Sequence, residues 1–365
     1  MTSDSQIATR KKRLFYLDFI RVLSVFIIIL THFINPYLAS SGLRLINVPF
    51  GIYIGSLGVS LFLMISGTAL TITYHRPLSL RRFYKKRFLS IYPMFWMAWL
   101  LGTLLTFLMY GWWINRGPAW SFLLTFSAMD GLARALGAPT MYLLGEWFLG
   151  FIVLFYAIFP LLLWGVQKHP YITAVVVFVI YGISFATVSV VKPSWEIMVL
   201  LPLRLPELAF GIYFATYVRR LRGWILVPTV VVLAVSEAFP DEIPEAVAVP
   251  LVGISVFLIL AYLAKFLDWD FIRVPTQVLS KYSYAVFLVH HQVILAEFYF
   301  LPTKTMSHAE LAIMFLAACV VSYLLGVMLY WMHQKFMEMV HEALKKTEKP
   351  KGKYILNPQA CRGEH

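Results

Sequence analysis

Arg21 and His32 stand eleven residues apart in the apolar stretch 14–37, where ionisable side chains are costly and tend to be functional. Eleven residues is close to three helical turns, so on a helix both side chains share a face, about 16 Å apart along the axis. A guanidinium can order an anionic or polar ligand. An imidazole with a reference pKa of ~6.5 can take a proton from a hydroxyl and return it. Asp18, three residues before Arg21, is placed to pair with it and lower the cost of both charges. Two structural alternatives stand beside this chemistry: Asp18 and Arg21 as an anchor for a helix end, and His32 as a hydrogen-bonding group between helices. No second histidine accompanies His32 at ligand spacing, so a metal site is not expected.

Further along, Arg81, Arg82, Lys85, Lys86 and Arg87 put five cations in seven positions, running directly into Ile91-Tyr92-Pro93. Some of them should occupy the first turns of a helix and face its neighbours, and arginine there can hold phosphate by paired hydrogen bonds. The same cluster is also a topology signal. Glu146 falls near the expected depth of His32 and can orient its imidazole or bind a sugar hydroxyl. Arg204 and Glu207, three apart, are expected to neutralise each other as a structural pair. His290 and His291 are neighbours and should point to different faces, with at most one towards a cavity.

The elements that must position these groups are membrane helices. Of 365 residues, 60% are hydrophobic and 13% charged, about half the charged share of a soluble domain, and mean hydropathy is +0.75. Ten apolar runs of crossing length are expected, at 14–37, 50–74, 91–110, 146–166, 171–191, 197–218, 222–239, 245–266, 279–300 and 309–333. The fold expected is therefore all-α: a polytopic helix bundle with both termini on one side. With the N-terminus cytoplasmic, only Arg44, Arg116, Arg134, Lys192 and Lys304 fall outside and Arg21 and Arg204 within spans, out of 31 cations. The formal charge of +13 is then explained by topology and anionic lipid, without nucleic acid.

Residues 1–13 read as a basic cytoplasmic N-terminus, 14–333 as one membrane domain and 334–365 as a polar cytoplasmic tail. Asp18 and Arg21 argue against a cleaved signal peptide. Cys319 and Cys361 do not suggest a disulfide framework. The loop from Gly111 to Gly145, with Trp112, Trp113, Trp120 and Tyr142, can cover an outer cavity and stack on sugar rings. A multi-pass transporter of a small anionic or glycosylated solute has similar helices and buried charges, but no inverted repeat is visible.

Several stretches together resemble the acyltransferase type 3 family of integral-membrane acyltransferases. They are Tyr16-Leu17-Asp18 with Arg21 and His32, Leu61 to Gly67, Arg87 to Pro93, Glu146-Trp147-Phe148-Leu149, Arg204-Leu205-Pro206-Glu207 and Ser283 to His290. The resemblance implies transfer of an acyl group, usually acetyl, from cytoplasmic acetyl-CoA or another acyl-CoA to a hydroxyl of a carbohydrate or lipid-linked glycan. No bound cofactor is implied. By position, His32 becomes the catalytic histidine with Arg21 and Asp18 beside it. Arg82, Lys85, Lys86, Arg87 and Tyr92 become the donor region, and Glu146, Arg204 and His290 candidates for the acceptor. The family often has a second arginine three residues after the one matching Arg87, and Ser90 stands there instead. With no hydrolase domain expected after the bundle, direct transfer to the acceptor in a bacterial cytoplasmic membrane is the expectation.

Overall fold

The computed structural model describes residues 14–41, 47–74, 78–111, 117–141, 144, 147–301 and 306–347, and among them there are helices and no strand. In chain order the helices are α1 (Phe15–Ser41), α2 (Ile54–Thr73), α3 (Leu80–Tyr110), α4 (Phe122–Phe126), α5 (Asp130–Ala135) and α6 (Trp147–Lys168). They continue with α7 (Pro170–Val191), α8 (Leu205–Tyr217), α9 (Leu226–Ala238), α10 (Glu245–Leu267), α11 (Asp270–Phe300) and α12 (His308–Thr347).

Each of the ten expected spans falls on a helix, and seven of those helices are long and apolar enough to cross a membrane. The all-α polytopic bundle is therefore the fold. The other three differ for identifiable reasons. Span 197–218 is broken into two 3-10 turns, Ile197–Val199 and Leu201–Arg204, before α8 begins. Pro202 and Pro206 lack amide donors, which suits the first turn of a helix and not its interior. The α9 helix has 13 residues, about 20 Å, after a 3-10 turn at Gly223–Ile225. In α11, Lys281, His290, His291 and Gln292 dilute an otherwise apolar sequence.

Two helices are longer than their apolar runs. The α3 helix starts at Leu80, so the whole cation cluster is helical, and it ends where Gly111 takes a left-handed conformation with φ 69°. The α12 helix continues past residue 333 into the stretch expected to be a tail, and Lys335 pairs with Glu338 at 2.9 Å on that extension.

The bundle is held by close helix crossings. Where α2 meets α8, a Cβ on Gly67 would lie 2.8 Å from the Leu208 carbonyl, and the Thr68 hydroxyl donates to the Gly211 carbonyl at 3.0 Å. Small residues let backbones approach in this way, and it matters in lipid, where no hydrophobic force separates helix from tail. By contrast, α7 leaves Phe178, Val179 and Ile183 exposed.

The segment after α3 departs most from expectation. Instead of lying over the outer end of the bundle, it turns back along α3: the Trp96 indole donates to the Phe126 carbonyl at 3.0 Å, and the Tyr92 hydroxyl to the Ser127 carbonyl at 3.1 Å. Tyr92 lies eighteen residues, about 27 Å, before the end of α3. Stacking of Trp96 on Phe126, with ring centroids 4.7 Å apart, holds the return. Trp112, Trp113 and Tyr142 lie outside the described residues.

Candidate active site

Helices α1 and α11 run side by side in the same direction, and two polar stations mark their contact. At the first, Ser280 bridges the charged pair of α1: its hydroxyl accepts from Arg21 Nη1 at 3.0 Å and donates to Asp18 Oδ1 at 2.5 Å. Arg21 also reaches Asp18 directly at 3.3 Å. Asp18 is buried, whereas the Arg21 side chain keeps 26% of its surface open, so the carboxylate fixes the guanidinium while leaving it reachable.

At the second station His32 meets both His290 and His291, with ring centroids 5.2 and 4.1 Å away. This corrects the expectation that the neighbouring histidines diverge and that His32 stands without a nearby ligand partner. Adjacent residues on a helix differ by about 100°, and an imidazole reaches far enough to close that gap when the facing ring sits between them. The buried His290 ring is oriented by its own backbone: Nδ1 donates to the Phe287 carbonyl at 2.7 Å, which leaves Nε2 as the nitrogen with the lone pair.

Ser280 and His291 are eleven residues apart, the same spacing as Arg21 and His32. Two parallel helices with matched spacing bring both pairs into contact at once, and each contact fixes the axial register of the other. The first span alone suggested one functional face; the partner face on α11 carries the same interval and was its sequence signal.

The cation cluster divides by side. Arg82, Lys85 and Lys86 are exposed, whereas Arg87 is half-buried and turns inward, lying over the Tyr156 ring at 5.6 Å. This tyrosine of α6, unremarked in the sequence, is what receives the inward Arg87. Ser90 lies on the exposed side with its hydroxyl bonded to the Lys86 carbonyl, so the position of the absent second arginine faces away from the bundle. Tyr92 is half-buried and is tied to the returning segment rather than aimed at the cluster.

The three acceptor candidates separate. His290 stands at the second station. Glu146 lies outside the described residues. Arg204 is fully buried at the start of α8, paired with Glu207 at 3.5 Å and donating to the Ser56 carbonyl at 3.2 Å, while Ser60 donates to Glu207 at 2.6 Å. These contacts tie the start of α8 to α2. On the other flank of the histidines, Gln292 accepts from Thr106 at 3.4 Å and packs beside Gly102, where Leu144 of the returning segment also lies.

A family model described as an acyltransferase domain matches residues 14–331, which takes in both stations, helices α1 to α11 and more than half of α12. The chain belongs to the acyltransferase type 3 family. It is a membrane acyltransferase, and the transporter alternative has no further support. No curated protein and no solved structure matches the chain. Placed on this acyltransferase, the family match covers the Arg21–His32 face, the inward Arg87 and the Ser280–His291 face as parts of one domain.

Proposed function

We propose that this acyltransferase moves an acyl group, acetyl in the first instance, from cytoplasmic acyl-CoA to a hydroxyl of an envelope carbohydrate or lipid-linked glycan. The observation that carries the reading is the pairing of a reachable guanidinium at one station with a cluster of three imidazoles at the other, about 16 Å apart on one face of α1. Arg82, Lys85, Lys86 and Arg87 receive the phosphates of coenzyme A at the cytoplasmic end. The pantetheine arm passes Tyr156 and Arg21, and the thioester reaches His32.

His32 then takes the acceptor hydroxyl's proton as that oxygen attacks the thioester carbonyl. The carbon–sulfur bond breaks, and the imidazolium returns the proton to the departing thiolate. His290, with its ring held by the Phe287 carbonyl, faces the acceptor beside His32. Asp18 and Ser280 act on Arg21 as positioning groups.

The test is transfer of radiolabelled acetyl from acetyl-CoA to envelope glycans in membranes lacking the native gene, complemented with wild type or His32→Ala at equal expression. Label with wild type and none with the variant is the expected result. Equal label with both removes His32 from the chemistry.

A further inference from the structure

Three imidazoles are more than a single general base requires. The candidate ligand nitrogens of His32, His290 and His291 all lie within 4.8 Å of one another. We propose that these three residues form a binding site for a divalent transition-metal cation of the zinc class, and that the bound cation silences acyl transfer by occupying the nitrogen with which His32 accepts a proton. The silencing half rests on the reading of His32 as the base; the binding half does not.

Neutral imidazole suits zinc, copper and nickel, and sites with three protein ligands leave a fourth position for water or substrate. Zinc–nitrogen bonds of about 2.0–2.1 Å in a tetrahedral site place ligand nitrogens about 3.3 Å apart, so small side-chain rotations close the present arrangement. The Nδ1 contact of His290 with the Phe287 carbonyl is the outer-shell hydrogen bond that ligating histidines use to fix their tautomer. His291 Nε2 is buried with no hydrogen-bond partner among the described residues, so nothing there competes with a cation for its lone pair. The ligands also come from two helices whose register is pinned by the Arg21–Ser280–Asp18 contact, so the site is built before the metal arrives.

The test uses the full chain in detergent micelles, stripped with chelator and titrated with Zn2+ by calorimetry, with Co2+ as a visible-absorption probe. The expected result is one equivalent bound, with the intense visible bands of tetrahedral cobalt. Loss of an outer-shell partner alone costs about 10–100-fold in affinity, so His291→Ala should lose about 100-fold or more. The exposed His308→Ala should bind as wild type. Failure of wild type to take up metal, weak octahedral cobalt bands, or binding unaltered by His291→Ala would overturn the site.

In the labelled-acetyl assay, saturating Zn2+ should suppress wild-type transfer and suppress that of His291→Ala less. Undiminished wild-type transfer with metal bound would overturn the silencing. Absence of transfer without any metal would instead sink the acyl-CoA reading, and the titration would still decide the site.

Discussion

Removing Arg204 alone should be among the most damaging single changes in this protein, and removing Glu207 with it should repair most of the damage. Both side chains are fully enclosed, with Nη1 3.5 Å from Oε1. At an effective dielectric constant of 20, unit charges at that separation attract by about 5 kcal/mol. That attraction offsets the cost of taking both groups out of water, so Arg204→Met leaves the Glu207 carboxyl buried without its ion-pair partner, with the Ser60 hydroxyl as its remaining hydrogen-bond partner among the described residues. Breaking one partner of a buried pair costs about 3–5 kcal/mol, whereas replacing both with apolar groups of similar size is often neutral. Thermal unfolding of Arg204→Met, Glu207→Leu and the double variant in detergent checks this. Both single variants should melt well below wild type, and the double variant close to it. A double variant no more stable than the worse single would refute the reasoning. The double variant also bears on the acceptor: if it folds and transfers acetyl normally, Arg204 does not bind the acceptor.

Other changes follow from the same geometry. At Gly211 an added methyl meets the Met64 carbonyl of the facing helix, so Gly211→Ala should cost about 1–3 kcal/mol in detergent unfolding, while Gly182→Ala, with open space around it, should cost nothing. Ser280→Ala removes the bridge between Arg21 and Asp18, and hydrogen bonds to charged groups are worth about 1.5–3 kcal/mol. It should lower transfer at least about tenfold, with Ser280→Thr restoring part; full activity in Ser280→Ala would show that Arg21 needs no positioning. Arg87→Lys keeps the charge but loses the planar contact with Tyr156, and should raise KM for acyl-CoA by about 3–10-fold with kcat little changed. Lys86→Ala, at an exposed position, should raise KM less, and the reverse order would displace Arg87 from the donor path.

The helices were legible because lipid imposes one rule: about 20 apolar residues with every backbone group bonded internally. The face of α1 carrying Arg21 and His32 was legible from helical spacing alone. Hidden from the sequence was everything that depends on which helix lies beside which. Ser280 is 259 residues from Arg21 along the chain, and only packing makes it the bridge. The return of residues 117–141 along α3 was missed because aromatics next to Gly and Pro read as an interfacial loop, whereas Trp96 and Tyr92 supply donors that hold that backbone at depth. The division of the basic cluster into an inward Arg87 and outward neighbours is a matter of a few helical positions, decided by where Tyr156 stands.

The match between the Arg21–His32 and Ser280–His291 intervals bears on why the proposed chemistry uses α1 and α11 together. A site that receives its donor at one level and does its chemistry at another must keep the two levels at a fixed distance. A single helix provides that distance, because its rise per residue is fixed by backbone hydrogen bonds. A single helix cannot, however, hold its side chains in one rotamer, and a lone Arg21 or His32 would sweep out a wide arc. The second helix supplies the restraint at both levels simultaneously, through the Ser280 bridge at one and ring contacts at the other. Because the helices are parallel and their intervals equal, neither contact strains the other. The structure thus converts a length set by the backbone into a distance between two orientable groups, which is what the proposed passage of an acyl group from one station to the other requires.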